Sequence, residues 1–401
     1  MEEEQQLNQG NFAVKRRAME KRKITIARLW PKYEGKYESR AAVIMGLDPR
    51  RFETICIYLA KNSTETNILE DKGHKTFYIS GKKSLPAFNL SAIWKVSRLL
   101  KRQKVDILHC HKHKSTVCGT IAALIAGMPV VISHVHGLGR TRNLKRKITN
   151  RFVLKRVNKI FTVGEAVKEN VLKANPFVSP DKVVSLGNSV DYERFANTAT
   201  TKAQARQMLA LSKDAFVFGT VARMARNKGQ VYLIKAFAEV KQRLPAAQLL
   251  FVGDGPLRHQ LEQQAAMIAQ DSIHFLGHRS DVANILRSMD AYVQPSIGSE
   301  GMPRALLEAM AAGVPCIGTQ ISGIPEILGD GEFGYLVTCK DEVALAAAMT
   351  ELAKKTDEQR KQIVEKAQQR VKNYYTHEII IKKLEGLYEA CMVGCQDVAG
   401  S

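Results

Sequence analysis

Short apolar segments alternate with helix-length segments along almost the whole chain, and this alternation is the strongest constraint on the fold. Eleven segments have the length and composition of buried strands: ITIARL, FETICIYL, TFYI, VDILHCH, PVVISHV, KIFTVG, AFVFGTVA, AQLLFVG, IHFLG, AYVQPS and PCIGT. Strands that alternate with helices form parallel sheets with helices on both faces. At 401 residues the chain is longer than one such sheet needs, so the sequence predicts two doubly wound α/β domains.

A turn-rich segment, SLGNSVDYERFANTATT, separates the first six strand segments from the last five and is the expected linker. The predicted boundaries are a basic mobile tail over 1–23, a first domain over 24–195 and a second domain over 196–373. A C-terminal helix over 374–401 is expected to return to the first domain.

Positive charge is concentrated in the first half. The net charge is +21, and residues 1–195 contain 37 Lys and Arg against 17 Asp and Glu. The segment from Arg142 to Lys159 has eight cations and no acid, with Leu144, Ile148, Phe152 and Val153 near helical spacing. Three interpretations stay open: a domain helix with a core face and a solvated basic face, a helix on an anionic membrane, or a nucleic-acid surface. Few aromatic residues interleave the cations, which argues against nucleic acid. The segment from Ala92 to Lys104 has the same ambiguity.

Two features concern the compartment. The N-terminal residues MEEEQQLNQG are acidic and polar, unlike a secretory signal, and Gly127 and Pro129 interrupt the longest apolar segment. The seven cysteines are an odd number without a CxxC pair, a pattern typical of a reducing cytosol. We therefore expect a cytoplasmic protein, without a membrane span, that binds the inner face of the membrane peripherally.

The segment SEGMPRALLE, residues 299–308, follows the strand segment AYVQPS and predicts a loop, a first-turn proline and a helix closed by Gly313. Ligands of parallel sheets bind beyond the carboxyl ends of the strands, where a helix N-terminus attracts phosphate. Glu308 would face this crevice and could accept hydrogen bonds from ribose hydroxyls, and Glu300 would reach another part of the ligand. The spacing alone favours an ordinary helix with an exposed glutamate, because such helices are common.

The longer segment SEGMPRALLEAMAAGVPCIGTQISGIPEIL resembles the signature of the retaining glycosyltransferases of family four (glycosyl transferases group 1). The resemblance extends through GTVARMARNKGQVYLIKAF, LLFVGDGPLRHQLE and IHFLGHRSDVANILRSMDAYVQPS, and more loosely through VDILHCHKH, VVISHVHG, IFTVGEAV and LGNSVDYERF. It implies the GT-B fold, in which two Rossmann-like domains face each other across a cleft. The first domain would carry the acceptor and the second the nucleotide-sugar donor.

The resemblance also implies roles for individual residues. Arg223 and Lys228 would clamp the donor diphosphate, Glu308 would bind the nucleotide ribose, Glu300 would contact the donor sugar and His136 would face the reacting sugar. Further donor contacts are implied for Gly35, Gly253, Arg279, Gly301, Met302 and Pro303. Two fixed cations stabilise a departing diphosphate without a metal, so we expect neither a metal nor a cofactor beyond the nucleotide diphosphate sugar. The implied reaction retains the anomeric configuration and uses no strong protein base.

Two local features complicate this interpretation. The family commonly has two adjacent glycines after the first strand, whereas this chain has EGKYES, with Gly35 present and Lys36 in the second position. Lys36 could add a cation to the donor phosphate, or the loop could lie nearer the acceptor, with Glu38 orienting it. The segment HCHKH would place His109, His111 and His113 on one strand face, as in a metal site. The resemblance favours cleft lining over metal binding.

The acceptor is the least determined part. A basic first domain suits a membrane acceptor, either a lipid-linked oligosaccharide, a lipopolysaccharide core or a polysaccharide precursor. The expected membrane or acceptor face consists of Arg142, Lys145, Arg146, Lys147, Arg151 and Lys155. A soluble sugar or small metabolite is the alternative acceptor, and a non-catalytic binding protein on this fold is a third possibility. That third possibility predicts loss of donor-site residues, yet Arg223, Lys228, Glu300 and Glu308 are all present. The sequence does not identify the nucleotide, the sugar or the oligomeric state.

Overall fold

The computed structural model describes residues 22–35, 38–138, 144–298 and 300–394, and these form two parallel sheets. The first sheet has the order β3-β2-β1-β4-β5-β6-β7 and consists of β1 Ile24–Trp30, β2 Phe52–Tyr58, β3 Thr76–Tyr78, β4 Ile107–His111, β5 Val130–Val135, β6 Lys159–Thr162 and β7 Val183–Ser185. The second has the order β10-β9-β8-β11-β12-β13 and consists of β8 Val217–Val221, β9 Gln248–Val252, β10 Ile273–Gly277, β11 Ala291–Gln294, β12 Cys316–Thr319 and β13 Tyr335–Val337. The prediction of two doubly wound Rossmann-like domains is confirmed.

Each of the eleven predicted strand segments contains a strand, but two strands were missed. These are β7 and β13, which have three residues each and close one edge of the first and second sheets respectively. Alternation does not reveal a strand of three residues, because it is too brief to repeat a period of two; β3 is equally short, but its segment TFYI is rich in β-branched and aromatic residues. These residues form strands because they hydrogen-bond to the neighbouring strands β6 and β12.

Helices connect the strands and cover both sheets. In the first half they are α1 Glu38–Met45, α2 Ile68–Asp71, α3 Leu90–Arg102, α4 Lys112–Ala126, α5 Leu144–Arg156, α6 Glu165–Ala174 and α7 Tyr192–Ala196. In the second half they are α8 Lys202–Met208, α9 Gln230–Arg243, α10 Arg258–Ala269, α11 Val282–Ser288, α12 Arg304–Ala311, α13 Ile324–Leu328, α14 Glu342–Lys354, α15 Asp357–Tyr374 and α16 His377–Gly394. In the described part of the chain, no helix has the length and apolar character required to cross a membrane.

The last helix, α16, packs on the first sheet although it follows the second domain in sequence. Its Tyr388 hydroxyl lies 2.6 Å from His109 Nδ1, and Glu385 accepts a 2.7 Å hydrogen bond from the backbone N–H of Asp48. Leu384 and Tyr388 are fully buried there. This helix therefore covers one face of the first sheet, while α3 and α4 pack on the other face.

Alternation along the strands decides which side chains α16 covers. Ile26 of β1, Ile107 of β4 and Ile132 of β5 point to this face and pack against the helix. Two residues further along each strand the same face carries Arg28, His109 and His134. The carboxyl halves of three adjacent strands therefore present buried polar groups beneath one helix.

Candidate active site

The loop before α12 fixes the first of the two signature glutamates. Glu300 is only 7% exposed, and its Oε1 accepts hydrogen bonds from Lys228 Nζ at 2.5 Å and from Ser296 Oγ at 2.8 Å. A buried carboxylate requires such partners, because an unpaired charge in the interior is costly. The pair holds the Lys228 ammonium at the carboxyl edge of the second sheet.

The lysine reaches this position because two loops are in close contact. Lys228 ends a short 3₁₀ turn, and the next residue, Gly229, has φ of +68°. A Cβ on Gly229 would lie 1.9 Å from the carbonyl oxygen of Pro295, so only glycine allows the approach. Arg223 follows β8 and is exposed, and its side chain has no hydrogen bond or ion pair within the described residues. The structure thus brings Lys228 to Glu300 and leaves the Arg223 guanidinium in solvent at the same edge.

A buried hydrogen-bond chain behind Glu300 was not anticipated from sequence. The Tyr292 hydroxyl donates to Gln294 Oε1 at 2.7 Å, and Gln294 Nε2 donates to Ser296 Oγ at 2.8 Å. Ser296 Oγ in turn donates to Glu300, and Thr319 donates to the Ser296 carbonyl at 2.6 Å. The signal was present in AYVQPS, where polar groups recur at every second position of a strand that is otherwise buried. The chain fixes the orientation of Glu300.

Glu308 lies on α12, which begins at Arg304, one residue after Pro303. The sequence predicted Pro303 in the first turn of the helix. In the structure it is instead the residue immediately before the helix. Burial raises the pKa of the Glu308 carboxyl, while the positive charges of Arg304 and Arg194 lower it. Gly313, with φ of +74°, follows the helix as predicted.

The other predicted donor residues differ in their surroundings. Arg279 donates to both carboxylate oxygens of Asp281, at 2.8 and 2.6 Å, so a ligand must compete with that pair. Gly253 has φ of +127° and lies so close to Ala222 that a Cβ would be 2.2 Å from its carbonyl oxygen. Gly35 has φ of +103° and packs against Glu65. The Lys36 position lies outside the described residues, as does the side chain of Glu38.

The two domains meet at the signature loop. A Cβ on Gly301 would lie 2.6 Å from the carbonyl oxygen of His136, so the loop backbone of the second domain contacts the first domain directly. Asn188 Nδ2 donates to the Met302 carbonyl at 2.8 Å. The imidazole of His136 lies 3.0 Å, Nε2 to Nδ1, from that of His111. His136, Gly301 and Met302 are therefore together at the cleft.

The histidine segment HCHKH is arranged differently from the prediction. Strand β4 ends at His111 and α4 begins at Lys112, so His113 lies on the helix and not on the strand face. His134 from β5 takes its place, and His109, His111 and His134 are near enough to one another to hold a metal ion. Arg28 Nε donates to His111 at 3.3 Å, and this buried positive charge repels a cation.

A cavity of about 380 Å³ opens on the first-domain side of His136. Its polar lining includes Lys32, Lys112, Lys114 and Arg146 together with His113 and His136, and no carboxylate of the described part of the chain lines it. In the second domain, a cavity of about 820 Å³ is lined by Arg226, Gln230 and Gly298, from the two loops that carry Lys228 and Glu300. The cleft is therefore flanked by open space on both sides.

The basic helix α5 exposes apolar as well as charged side chains. Its core face consists of Asn150, Val153 and Leu154, which are buried. Leu144, Ile148 and Phe152 are 71%, 53% and 70% exposed, and the spacing of four residues places them on one side of the helix. The cations Lys145, Arg146, Lys147, Arg151 and Lys155 are exposed as well, and Arg142 lies outside the described residues. Only Val153 of the predicted apolar stripe therefore faces the core.

Family models match both halves of the chain. The model described as "Glycosyltransferase Family 4" matches residues 45–194, and the one described as "Glycosyl transferases group 1" matches residues 201–370. The chain is 32% identical over 263 residues to UDP-Gal:alpha-D-GlcNAc-diphosphoundecaprenol alpha-1,3-galactosyltransferase of Escherichia coli, covering 63% of this chain and 67% of that relative. It is 26% identical to the capsular polysaccharide biosynthesis glycosyltransferase CapM of Staphylococcus aureus, covering 82% of this chain and 91% of that relative.

A solved structure has the same fold. The crystal structure of HepE from Anabaena in complex with UDP superposes with a TM-score of 0.78 at 19% identity, covering 92% of this chain and all of that chain. The two-sheet architecture of the present chain is thus the GT-B architecture. Together, the two family matches, the relatives and the fold show that the chain belongs to the family-four glycosyltransferases.

Proposed function

We propose that the chain is a retaining glycosyltransferase that moves a hexose-type sugar from a nucleotide diphosphate sugar to a membrane-associated glycan or lipid acceptor. The observation that carries this proposal is the ion pair between Lys228 and Glu300 at the cleft, beside the Gly301 backbone that touches His136. The pair places a fixed cation and a glutamate at the carboxyl edge of the second sheet, where a donor binds in doubly wound folds.

The chemistry assigned to these groups is electrostatic. Lys228 and Arg223 stabilise the negative charge that develops on the nucleotide diphosphate as the bond between it and the anomeric carbon breaks. The acceptor oxygen forms its new bond on the same face of the sugar, and its proton passes to the departing phosphate. Two protein cations supply the positive charge that a metal would otherwise provide, so we propose that none is required.

Glu308 is expected to bind the ribose of the donor through its carboxylate. Replacing it by alanine removes hydrogen bonds to a charged group, worth ~3 kcal/mol, and we expect donor affinity to fall by about 10²-fold. The measurement is hydrolysis and calorimetric binding of UDP-, GDP- and ADP-linked sugars by the wild type and by Glu308→Ala. Glu332→Ala, which removes an exposed glutamate of the same domain, is the matched control.

Release of sugar from one donor, reduced in Glu308→Ala and unchanged in Glu332→Ala, would identify the nucleotide. If no donor is hydrolysed and none binds, the enzymatic proposal fails. UDP is the first nucleotide to test, because the Escherichia coli relative is named for UDP-galactose and the Anabaena structure contains UDP.

We propose that α5 attaches the protein to the anionic cytoplasmic face of a membrane. Three exposed apolar side chains, Leu144, Ile148 and Phe152, lie among six exposed cations of the same helix. An interfacial helix has this composition, because its apolar groups enter the acyl boundary while its cations contact anionic headgroups. Helix α3 of the same domain also exposes Leu90 and Trp94, and the Arg98 guanidinium lies 4.7 Å from the centre of the Trp94 ring. This surface favours a membrane acceptor over a soluble one.

The triple variant Leu144→Ser/Ile148→Ser/Phe152→Ser is expected to bind anionic vesicles at least about 10-fold more weakly than the wild type, because it loses the apolar area that enters the bilayer. Flotation with vesicles of phosphatidylglycerol and phosphatidylcholine measures the effect. The matched control, Met208→Ser/Met267→Ser/Val343→Ser, removes three equally exposed apolar groups from the second domain. If the triple variant and the control both bind vesicles as well as the wild type does, α5 is not the membrane contact.

A further inference from the structure

Arg28 is a buried cation that has no carboxylate partner among the described residues. It lies on β1, is 5% exposed, and donates from Nε to His111 Nε2 at 3.3 Å. Its Nη1 is buried and has no hydrogen-bond partner within the described residues. An unpaired buried charge and an unsatisfied donor both cost free energy, so such a site is expected to be completed by something else. Arg28 plays no part in the donor clamp described above.

A chain of hydrogen bonds presents a second donor beside Arg28. The Tyr388 hydroxyl lies 2.6 Å from His109 Nδ1, and His109 Nε2 lies 3.2 Å from His134 Nδ1. With Tyr388 donating to His109, each ring accepts at Nδ1 and donates at Nε2, which makes His134 Nε2 an N–H group. That nitrogen is buried and has no partner in the described part of the chain.

The histidines do not compensate the charge of Arg28. Burial and the neighbouring Arg28 charge lower the pKa of His134 to about 3, and burial lowers the pKa of His109 and His111 well below the usual value. The rings are therefore neutral near pH 7, and they supply hydrogen bonds without negative charge. The arrangement offers one full positive charge and an additional N–H donor.

Arg28 and His134, which carry the two unsatisfied groups, both line a cavity of about 210 Å³ beneath α16. Its charged lining residues are Arg28 and Lys112 from the first domain and Arg304 from α12 of the second, and no carboxylate of the described residues lines it. Asn188 and Ser189, from the segment between the domains, add polar groups. Neither Arg223 nor Lys228 contributes to the lining, so this space is separate from the proposed donor clamp.

We propose that this cavity is a binding site for an oxyanion of the phosphate class, held by Arg28 Nη1 and His134 Nε2 and faced by Arg304. A tetrahedral oxyanion offers several acceptor oxygens and the negative charge that the cavity lacks. The bound oxyanion would connect β1 of the first domain to the first turn of α12, the helix that carries Glu308. The anion is either free phosphate or the phosphate of a lipid-linked acceptor, and these sources are distinguished experimentally.

The first test is calorimetric titration of the full-length protein with inorganic phosphate in the presence of saturating UDP, which occupies the donor site. We expect saturable binding to the wild type and at least 10-fold weaker binding to Arg28→Met. Methionine retains the apolar stem of arginine and removes the charge. Absence of binding to the wild type, or equal binding to Arg28→Met, would overturn the proposal.

A wild-type crystal soaked in selenate keeps the test independent of how well Arg28→Met folds. An anomalous selenium peak within hydrogen-bond distance of Arg28 and His134 supports the site. Absence of anomalous density from the cavity refutes it. A short-chain prenyl diphosphate then identifies the source. Its displacement of phosphate, with weaker binding to Arg28→Met, assigns the site to the acceptor, whereas binding of inorganic phosphate alone assigns it to the free anion. Donor hydrolysis is measured separately, so failure here is distinguishable from failure of the proposed function.

Discussion

Replacement of Lys228 by methionine is expected to lower donor turnover by about 10³-fold, a loss of ~4 kcal/mol of transition-state stabilisation. The Lys228 ammonium is held against Glu300 at the cleft, so we expect its field to stabilise the departing diphosphate without rearrangement of the side chain. The matched control is Arg226→Met, which removes an exposed cation from the same 3₁₀ turn. Steady-state hydrolysis of the preferred nucleotide sugar gives kcat and KM for both variants.

A structural effect of Lys228→Met can be separated from a catalytic one. Without the lysine, the buried carboxylate of Glu300 retains only Ser296 as a side-chain partner among the described residues, and the free energy of unfolding falls. The double variant Lys228→Met/Glu300→Gln removes the unpaired charge, so it regains stability while turnover stays low. Recovery of turnover together with stability would show that Lys228 acts only by supporting the fold.

Replacement of Gly253 by alanine is expected to destabilise the second domain by about 3 kcal/mol and to lower the Tm by roughly 10 °C. The residue has φ of +127°, and an added Cβ would lie 2.2 Å from the Ala222 carbonyl oxygen, which belongs to the backbone and cannot rotate away. Differential scanning calorimetry measures the change.

Gly298→Ala is the control for this second substitution. It introduces the same methyl group in a loop of the same domain, where no atom of the described residues beyond the chain neighbours lies within 4 Å of the new Cβ and φ is outside the left-handed region. We expect its Tm to stay near that of the wild type. An unchanged Tm in Gly253→Ala would mean that the turn relaxes, leaving donor binding as the remaining reason for the glycine.

Those parts of the candidate site that belong to one contiguous motif could be predicted from the sequence. The sequence placed Glu300 and Glu308 on a loop and its following helix, and it selected Lys228 as a clamp residue. It did not pair Lys228 with Glu300, which lies 72 positions later in the chain. That contact depends on two loops from non-consecutive strands, β8 and β11, becoming neighbours in the second sheet.

Two other features were outside the reach of sequence patterns. Apolar residues at helical spacing on α5 predicted a single stripe, but the structure buries Val153 and exposes Leu144, Ile148 and Phe152. Periodicity describes a helix in isolation and does not state which neighbour covers which face. Likewise, the spacing of HCHKH predicted three histidines on one strand, whereas the strand ended after two and β5 supplied His134.

The sequence by itself determined the class of fold, eleven of the thirteen described strands and the family, because alternating periodicity and contiguous motifs are properties of neighbouring residues. The tertiary structure alone decided the two short edge strands, the pairing of Lys228 with Glu300 and the convergence of Arg28 and His134 beneath α16. These depend on the order of strands in each sheet and on the return of the last helix to the first domain. Contacts of this kind join residues far apart in the chain, so no local pattern encodes them.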